Sequence, residues 1–417
     1  MVCTKPFKGV RYNLEKTLLK QVIAPPYDVI DESLRECLLS KSPYNVVAID
    51  LPIGGEDKYE KAGELYRLWK ENGILIKDHQ PAYYIYEQEY EYNGKNYIRT
   101  GFIGVMKLEE FGKGTVFPHE KTLPGPKQDR FELMKATNAN LSQIFGLYMD
   151  KENKLERIFS MAKKDMPIGS AVDIYGVKNS LWIVNDKESV DKITQFMTDK
   201  AVYIADGHHR YETAINYRNY MREKNGDDGT NDAGYEYVMT MFVNFYDEGL
   251  KIFPTHRVVD LPTSFDINEF FNKLEELFTI TKLTDEKKSK FLDVESDMRI
   301  IMYINGEEYG IRVKDSVLDR LDAVYRKVNT YILQELVLKK LLDFTDEKLL
   351  KKQGIYCVQT EEEIKDLLTN SNSAAFVLKG MDIDVVRLVS ENGLVMPQKS
   401  TYFYPKLQTG LVFNDLN

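Results

Sequence analysis

The sequence predicts an α+β protein of at least two associated regions. Three observations carry this. The chain has 417 residues, beyond the common size of one domain. Segments with strand alternation and segments with helical period both occur on each side of residue 260. Hydrophobic residues reach 43% and aromatics 12%, enough for a substantial core.

Taken in order, Gln21 to Ile30 reads as a short strand entering a Pro-Pro turn that ends in Tyr27-Asp28. Glu56 to Asn72 has helical spacing through Tyr59, Ala62, Leu65, Tyr66 and Trp69, and Gly73 stops it. Ala82 to Tyr92 alternates as a strand, Asn93-Gly94 is a hairpin turn, and Tyr97 to Leu108 returns. Phe117 to Arg130, with three prolines and a glycine, reads as an ordered loop. A helix and then a short apolar strand follow within Phe131 to Leu147. Val202 to Ala205 is a compact apolar strand that enters Asp206-Gly207, and Tyr211 to Lys224 repeats with helical period. Asn225 to Gly234 reads as a mobile loop and Tyr237 to Phe245 as a buried strand.

Beyond Val259 the character changes. Helical stretches at Asn268 to Phe278 and Ser316 to Leu342 alternate with strands at Met298 to Ile304, Tyr309 to Val313 and Ala374 to Lys379. The expected division is therefore residues 1–260 and 261–417, with a boundary near Leu261.

Charge narrows the function classes. The net charge of −9 argues against a bulk nucleic-acid binder, which carries a basic excess. Three scattered cysteines, Cys3, Cys37 and Cys357, have neither disulfide nor metal-ligand spacing and fit a reducing cytoplasm. No apolar run reaches the ~18–20 residues of a membrane helix, and Met1 to Lys16 lacks the apolar core of a signal peptide. A soluble cytoplasmic protein without membrane or nucleic-acid partners is expected, with homo-oligomerisation left open.

Chemistry concentrates in a few segments. Asp206-Gly207-His208-His209-Arg210 joins a strand to a helix start, where free backbone N–H groups and the helix dipole favour an anion. Gly207 permits close backbone approach, and Arg210 offers a planar fork suited to phosphate oxygens. Asp206 could cap the helix, hold a metal or orient a histidine. Adjacent His208 and His209 cannot point the same way, which disfavours a shared zinc ion. The same pentapeptide would also suit a capped helix with solvated histidines.

A second segment, Phe117 to Arg130, presents His119, Lys121, Lys127 and Arg130 as a cationic cluster in an acidic chain, able to balance an oligophosphate or simply to face solvent. Glu120 lies within it, and Asn138, Asn140 and Ser142 follow as polar groups that could line the same pocket or cap a turn. Asp28 follows a rigid turn and could serve as a base or as a turn residue. His256-Arg257 adds a cationic dipeptide at a strand end, and Pro397 to Lys406 mixes Lys399, Ser400 and Thr401 with aromatics. Phosphate-loop, dinucleotide, zinc-protease and nucleophile-elbow motifs are all absent.

The ordered set APPYDVI, FPHEKTLPGPKQDR, NANLSQIFGLY, DGHHR, PTHRVV and PQKSTYFYPKLQTGLV resembles the domain-of-unknown-function family numbered one thousand and fifteen over nearly the whole chain. DGHHR is also similar to the signature of the ParB/sulfiredoxin-like superfamily, whose kinase branch contains free L-serine kinases. The resemblance implies a ParB/sulfiredoxin-like catalytic core with a mixed sheet and a large C-terminal α+β extension, which returns the 397–412 segment toward the site. It implies a pyrophosphate-dependent kinase that converts L-serine to O-phospho-L-serine with Mg²⁺. His208 replaces the reactive cysteine of sulfiredoxins, so a thiolate nucleophile is missing.

On that reading Asp28, Asp206, His208 and His209 are the catalytic candidates, with Asp206 also the metal ligand. Gly207, Arg210, Lys121, Lys127, Arg130, His256, Arg257 and Lys399 would bind phosphate. His119, Glu120, Asn138, Asn140, Ser142, Ser400 and Thr401 would line the substrate. The alternatives are a noncatalytic phosphometabolite sensor and a ParB-like nucleotide-dependent DNA partner, which would need a basic segment this chain lacks. A nucleotide donor remains open.

Overall fold

The computed structural model describes residues 2–120, 122, 124–284, 288, 290–294, 298–368 and 372–416. The chain divides into two compact units. The first comprises Met1–Pro118, Thr122–Lys251 and Pro405–Asn417, and the second His119–Lys121 with Ile252–Tyr404. The division falls at Lys251, ahead of the boundary read near Leu261, because the C-terminal segment packs into the first unit.

Among the described residues, the first unit holds a nine-stranded mixed sheet. Its order from one edge is Val116–Phe117, Val202–Asp206, Ile144–Tyr148, Tyr237–Asn244, Lys95–Lys107, Tyr83–Tyr92, Lys178–Val184 and Gly169–Val172, with Thr4–Lys5 added on Lys95–Lys107. The Asn93-Gly94 turn closes the expected hairpin with both residues at positive φ, 51° and 70°, as a tight two-residue turn requires. The Tyr237–Asn244 strand is buried along its whole length, because it lies centrally and is covered on both faces. Phe102, Tyr148, Ile204, Tyr211 and Phe242 meet in the core beneath it.

Two local expectations fail here. The short strand expected at the start of Gln21 to Ile30 does not form: Gln21 and Val22 end a short helix, Leu19–Val22, and Ala24 makes only an isolated bridge to Thr409. Phe117 to Arg130 is not all loop, since the Pro124–Thr137 helix begins inside it. Proline is accepted in a first helical turn because the N–H it lacks would have no partner there.

Among the described residues, the second unit holds a six-stranded antiparallel sheet. Its order is Phe278–Lys282, Glu307–Val313, Arg299–Ile304, Ser373–Val377, His256–Asp260 and Ile355–Val358. The Ile267–Leu277 helix buries Phe270, Leu274 and Leu277 in the core of this unit. The expected helix over Ser316 to Leu342 is broken into Asp315–Leu318, Tyr325–Lys327, Asn329–Ile332 and a π-helical stretch, Leu333–Lys339. The α+β class with a mixed sheet is therefore the architecture of the chain.

Candidate functional site

Strand Val202–Asp206 delivers Asp206 to the start of helix His208–Asn225. Its pairing with Ile144–Tyr148 shifts register between Ile204 and Asp206. Such a bulge re-aims a side chain, so Asp206 leaves the face that Ile204 buries in the core. Gly207 follows at φ 93°, a left-handed conformation that glycine adopts without strain. A Cβ there would stand 3.0 Å from the Arg210 guanidinium. The N-cap position of the helix is Gly207, one residue after Asp206.

Asp206 instead gathers cations. Arg210 Nη2 donates to Asp206 Oδ2 at 2.8 Å and Lys406 Nζ to Asp206 Oδ1 at 2.7 Å. The Arg210 fork also reaches Ser142 Oγ at 3.1 Å and the Gln143 carbonyl at 2.6 Å. Lys406 is 9% exposed and Asp206 22%, so this charge cluster is largely withdrawn from water. Arg99 lies fully buried nearby, in electrostatic contact with Asp206, and burial pulls its pKa down to about 10. Arg210, Lys406 and Arg99 thus converge on Asp206 beside the start of a helix, whose dipole favours an anion. That arrangement suits a phosphate.

The C-terminal segment places Lys406. Its residues bridge Val10 through Phe413, Ala24 through Thr409 and Asn140 through Asn414. The Lys406 carbonyl accepts from Gln88 Nε2 at 3.0 Å. These backbone anchors fix the base of a long side chain whose head then meets Asp206.

A second group of charges adjoins. Asp28, on an exposed turn, acts electrostatically on both Tyr27 and Asp50, and so do Arg130 and Arg210. Arg130 is buried against Asp50, with Nη1 at 2.6 Å from the Asp50 carbonyl and 3.2 Å from its carboxylate, and its Nη2 lies 2.6 Å from Asp129. Its guanidinium covers the Tyr27 ring at 4.2 Å. Burial raises the Asp50 carboxyl and pushes the Tyr27 phenol up to about 12. A cavity of about 40 Å³ between Asp50, Arg130, Asn140, Ser142 and Arg210 holds no more than a water or two.

Other candidates in this unit do different work. Lys127 is paired to Glu212 at 2.6 Å, and Thr122 donates to the same carboxylate at 2.7 Å. Asn140, which also lines that cavity, accepts from the Met239 amide at 3.0 Å and from Asn414 at 3.2 Å, and so ties two strands together. Asn138 accepts from the Tyr217 hydroxyl at 2.6 Å. His208 is buried and His209 half-buried. Lys121 lies outside the described residues.

The remaining candidates belong to the second unit. His119 Nε2 meets Thr401 Oγ1 at 2.9 Å, Glu120 accepts from the Lys399 amide at 2.8 Å, and Ser400 meets Thr330 at 2.7 Å. Arg257 donates to the carbonyls of Thr255, His256, Gln398 and Lys399 at 2.8–3.2 Å. His256 accepts the Leu378 amide on Nδ1, and burial takes its pKa down to about 4. With Nδ1 accepting, the ring is held in the form that keeps its proton on Nε2.

No three His, Cys, Asp or Glu side chains converge as metal ligands among the described residues. Both Asp206 oxygens are already held by cations, so the donor set fits a metal brought by a phosphate better than a resident one. Sequence reasoning missed Asp50 and Lys406 as site residues. Lys406 stood within a quoted motif, but nothing local to Asp50 announced a buried carboxylate. No helix among the described residues is long and apolar enough to cross a membrane.

A family model described as a protein of unknown function (DUF1015) matches residues 4–331. The chain belongs to this family. Among solved structures, this chain is similar to a free serine kinase variant in complex with ADP, at 13% identity and a TM-score of 0.35 over 71% of this chain and 89% of that one. It is similar to a conserved hypothetical protein from Pyrococcus furiosus at 15% identity and a TM-score of 0.34, over 71% and 92%. SbnI with a C-terminal truncation, from Staphylococcus aureus, matches at 10% identity and a TM-score of 0.37, over 71% and 84%. No curated protein matches the chain.

Proposed function

We propose that this DUF1015 protein is a phosphotransferase that moves a phosphoryl group from pyrophosphate to free L-serine. The observation that carries the reading is the pair of cations on Asp206, Arg210 and Lys406, set at a helix start that Gly207 opens. Phosphoryl transfer demands positioning and charge neutralisation more than covalent help. A carboxylate that holds two cations in place before the donor arrives supplies both.

In the proposed step the serine hydroxyl oxygen forms a bond to phosphorus while the bridging P–O bond of pyrophosphate breaks and inorganic phosphate leaves. Arg210, Lys406 and the first-turn amides hold the phosphoryl oxygens, and Ser142 and the Gln143 carbonyl keep the Arg210 fork in its plane. Mg²⁺ arriving with the donor would supply charge neutralisation, and Asp206 would be the carboxylate to hold it if one of its two cations turned to the phosphate. Asp28, exposed and in the same electrostatic neighbourhood as Arg210, takes the hydroxyl proton, a contribution of ~10²–10⁴-fold. The His208-His209 pair remains the other base candidate.

The test is a panel of amino acids incubated with pyrophosphate and Mg²⁺, followed by mass spectrometry of the products. O-phospho-L-serine from wild type, and none from Arg210→Ala, is expected. A phosphorylated product from another acceptor would replace serine in the reading. Ligand binding without any product would favour a sensor.

A further inference from the structure

The second unit contains a cavity of about 420 Å³ that the phosphoryl-transfer reading does not use. It lies between the π-helical stretch Leu333–Lys339 and the Val395–Gln398 segment, both of which line it. π-helical turns are rare and concentrate at functional sites. The volume suits a small metabolite.

Two polar groups in its wall lack the partners that buried groups normally have. Arg257 is 4% exposed, and among the described residues no carboxylate pairs with it. Its four Nη bonds all go to backbone carbonyls. Buried charges are ordinarily paired. Gln398 Nε2 is sealed from solvent and has no hydrogen-bond partner.

The rest of the wall sets the ligand's charge. Lys339 is neutralised by Glu335 at 2.8 Å and Asp346 at 2.7 Å. With Lys352 and Arg257 added, three cations face two carboxylates, so one positive charge is left over. The remaining wall is largely aliphatic, including Leu333, Leu338, Leu349, Ile355 and Met396. We infer that this cavity binds a small apolar carboxylate, whose anionic end meets Arg257 and whose body lies on the leucine wall. A dianionic phosphate would leave a charge uncompensated among apolar groups. The site stands independently of the reaction proposed for the first unit.

The test is calorimetric titration of the full chain with hexanoate, and with hexylamine and inorganic phosphate as comparators. Hexanoate should bind saturably at about millimolar concentration or below, and the comparators should not. Arg257→Gln should weaken hexanoate about tenfold or more. Leu349→Trp, which fills the cavity and leaves every Arg257 bond in place, should abolish binding and decides the matter even if Arg257→Gln fails to fold. Absence of saturable hexanoate binding, equal binding of phosphate, or unchanged binding in Leu349→Trp would each overturn the inference.

Discussion

Replacing Arg210 with lysine keeps the charge at the loop–helix junction and removes the fork. The arginine spans three acceptors, Asp206 Oδ2 at 2.8 Å, Ser142 Oγ at 3.1 Å and the Gln143 carbonyl at 2.6 Å. A single ammonium cannot reach all three and also face a phosphoryl group. One charge-assisted hydrogen bond contributes ~1.5–3 kcal/mol, so loss of the second contact to the donor should lower kcat/KM about ten- to hundredfold. The side chain is only 12% exposed, so solvent should replace little of what is lost. Initial rates measured over pyrophosphate and over L-serine separate the effects. The deficit should appear in kcat/KM for pyrophosphate, with the KM for serine nearly unchanged and the folded state confirmed by circular dichroism. Full activity in Arg210→Lys, or a deficit confined to the serine KM, would refute the assignment of Arg210 to the donor.

Further outcomes follow from the same geometry. Gly207→Ala forces a left-handed residue at φ 93° against the Arg210 guanidinium; it should cost ~1–2 kcal/mol in thermal denaturation and reduce turnover as well. Lys406→Met should lower activity while leaving the Asp206–Arg210 pair intact, which pyrophosphate affinity would report. His256 has its folded pKa depressed to about 4, so its contribution is present above the unfolded value near 6.5 and is lost as pH falls through about 4. Asp247 has the opposite sign. Burial raises it to about 6, so its contribution is complete below the unfolded value near 3.9 and is lost as pH rises through about 6. Asp247→Asn should remove that second dependence from melting curves recorded between pH 4 and 7. Chelator treatment of the protein alone should leave its melting temperature unchanged, while turnover should require added Mg²⁺.

The elements legible in the sequence were those whose signals are local. The Asn93-Gly94 hairpin, the buried Tyr237–Asn244 strand and the strand–glycine–helix junction at Asp206 each carry their information within about ten residues. The helix expected after Phe131 was legible, but its start at Pro124 was hidden because its prolines occupy the first turn, where they do not interrupt a helix. The Ser316 to Leu342 stretch kept an apolar pattern that helical period explains, but its hydrogen bonding changes to π geometry at Leu333, which periodicity does not reveal. Within the site, Gly207 and Arg210 could be read because the strand–turn–helix context gives them their meaning. The Lys406–Asp206 pair spans 200 positions and depends on anchors at Val10, Ala24 and Asn140 that no local pattern encodes. Asp50 is a site residue only through burial beside Arg130. His256 was read as a cation because its charge depends on an environment that sequence does not show.

The most direct test of the central claim is phosphorus NMR of the wild-type chain with L-serine, Mg²⁺ and, separately, pyrophosphate, ATP or ADP. A phosphomonoester signal that grows with pyrophosphate as it is consumed, with one phosphate released per ester formed, is the predicted result. No phosphomonoester from any of the three donors would contradict it.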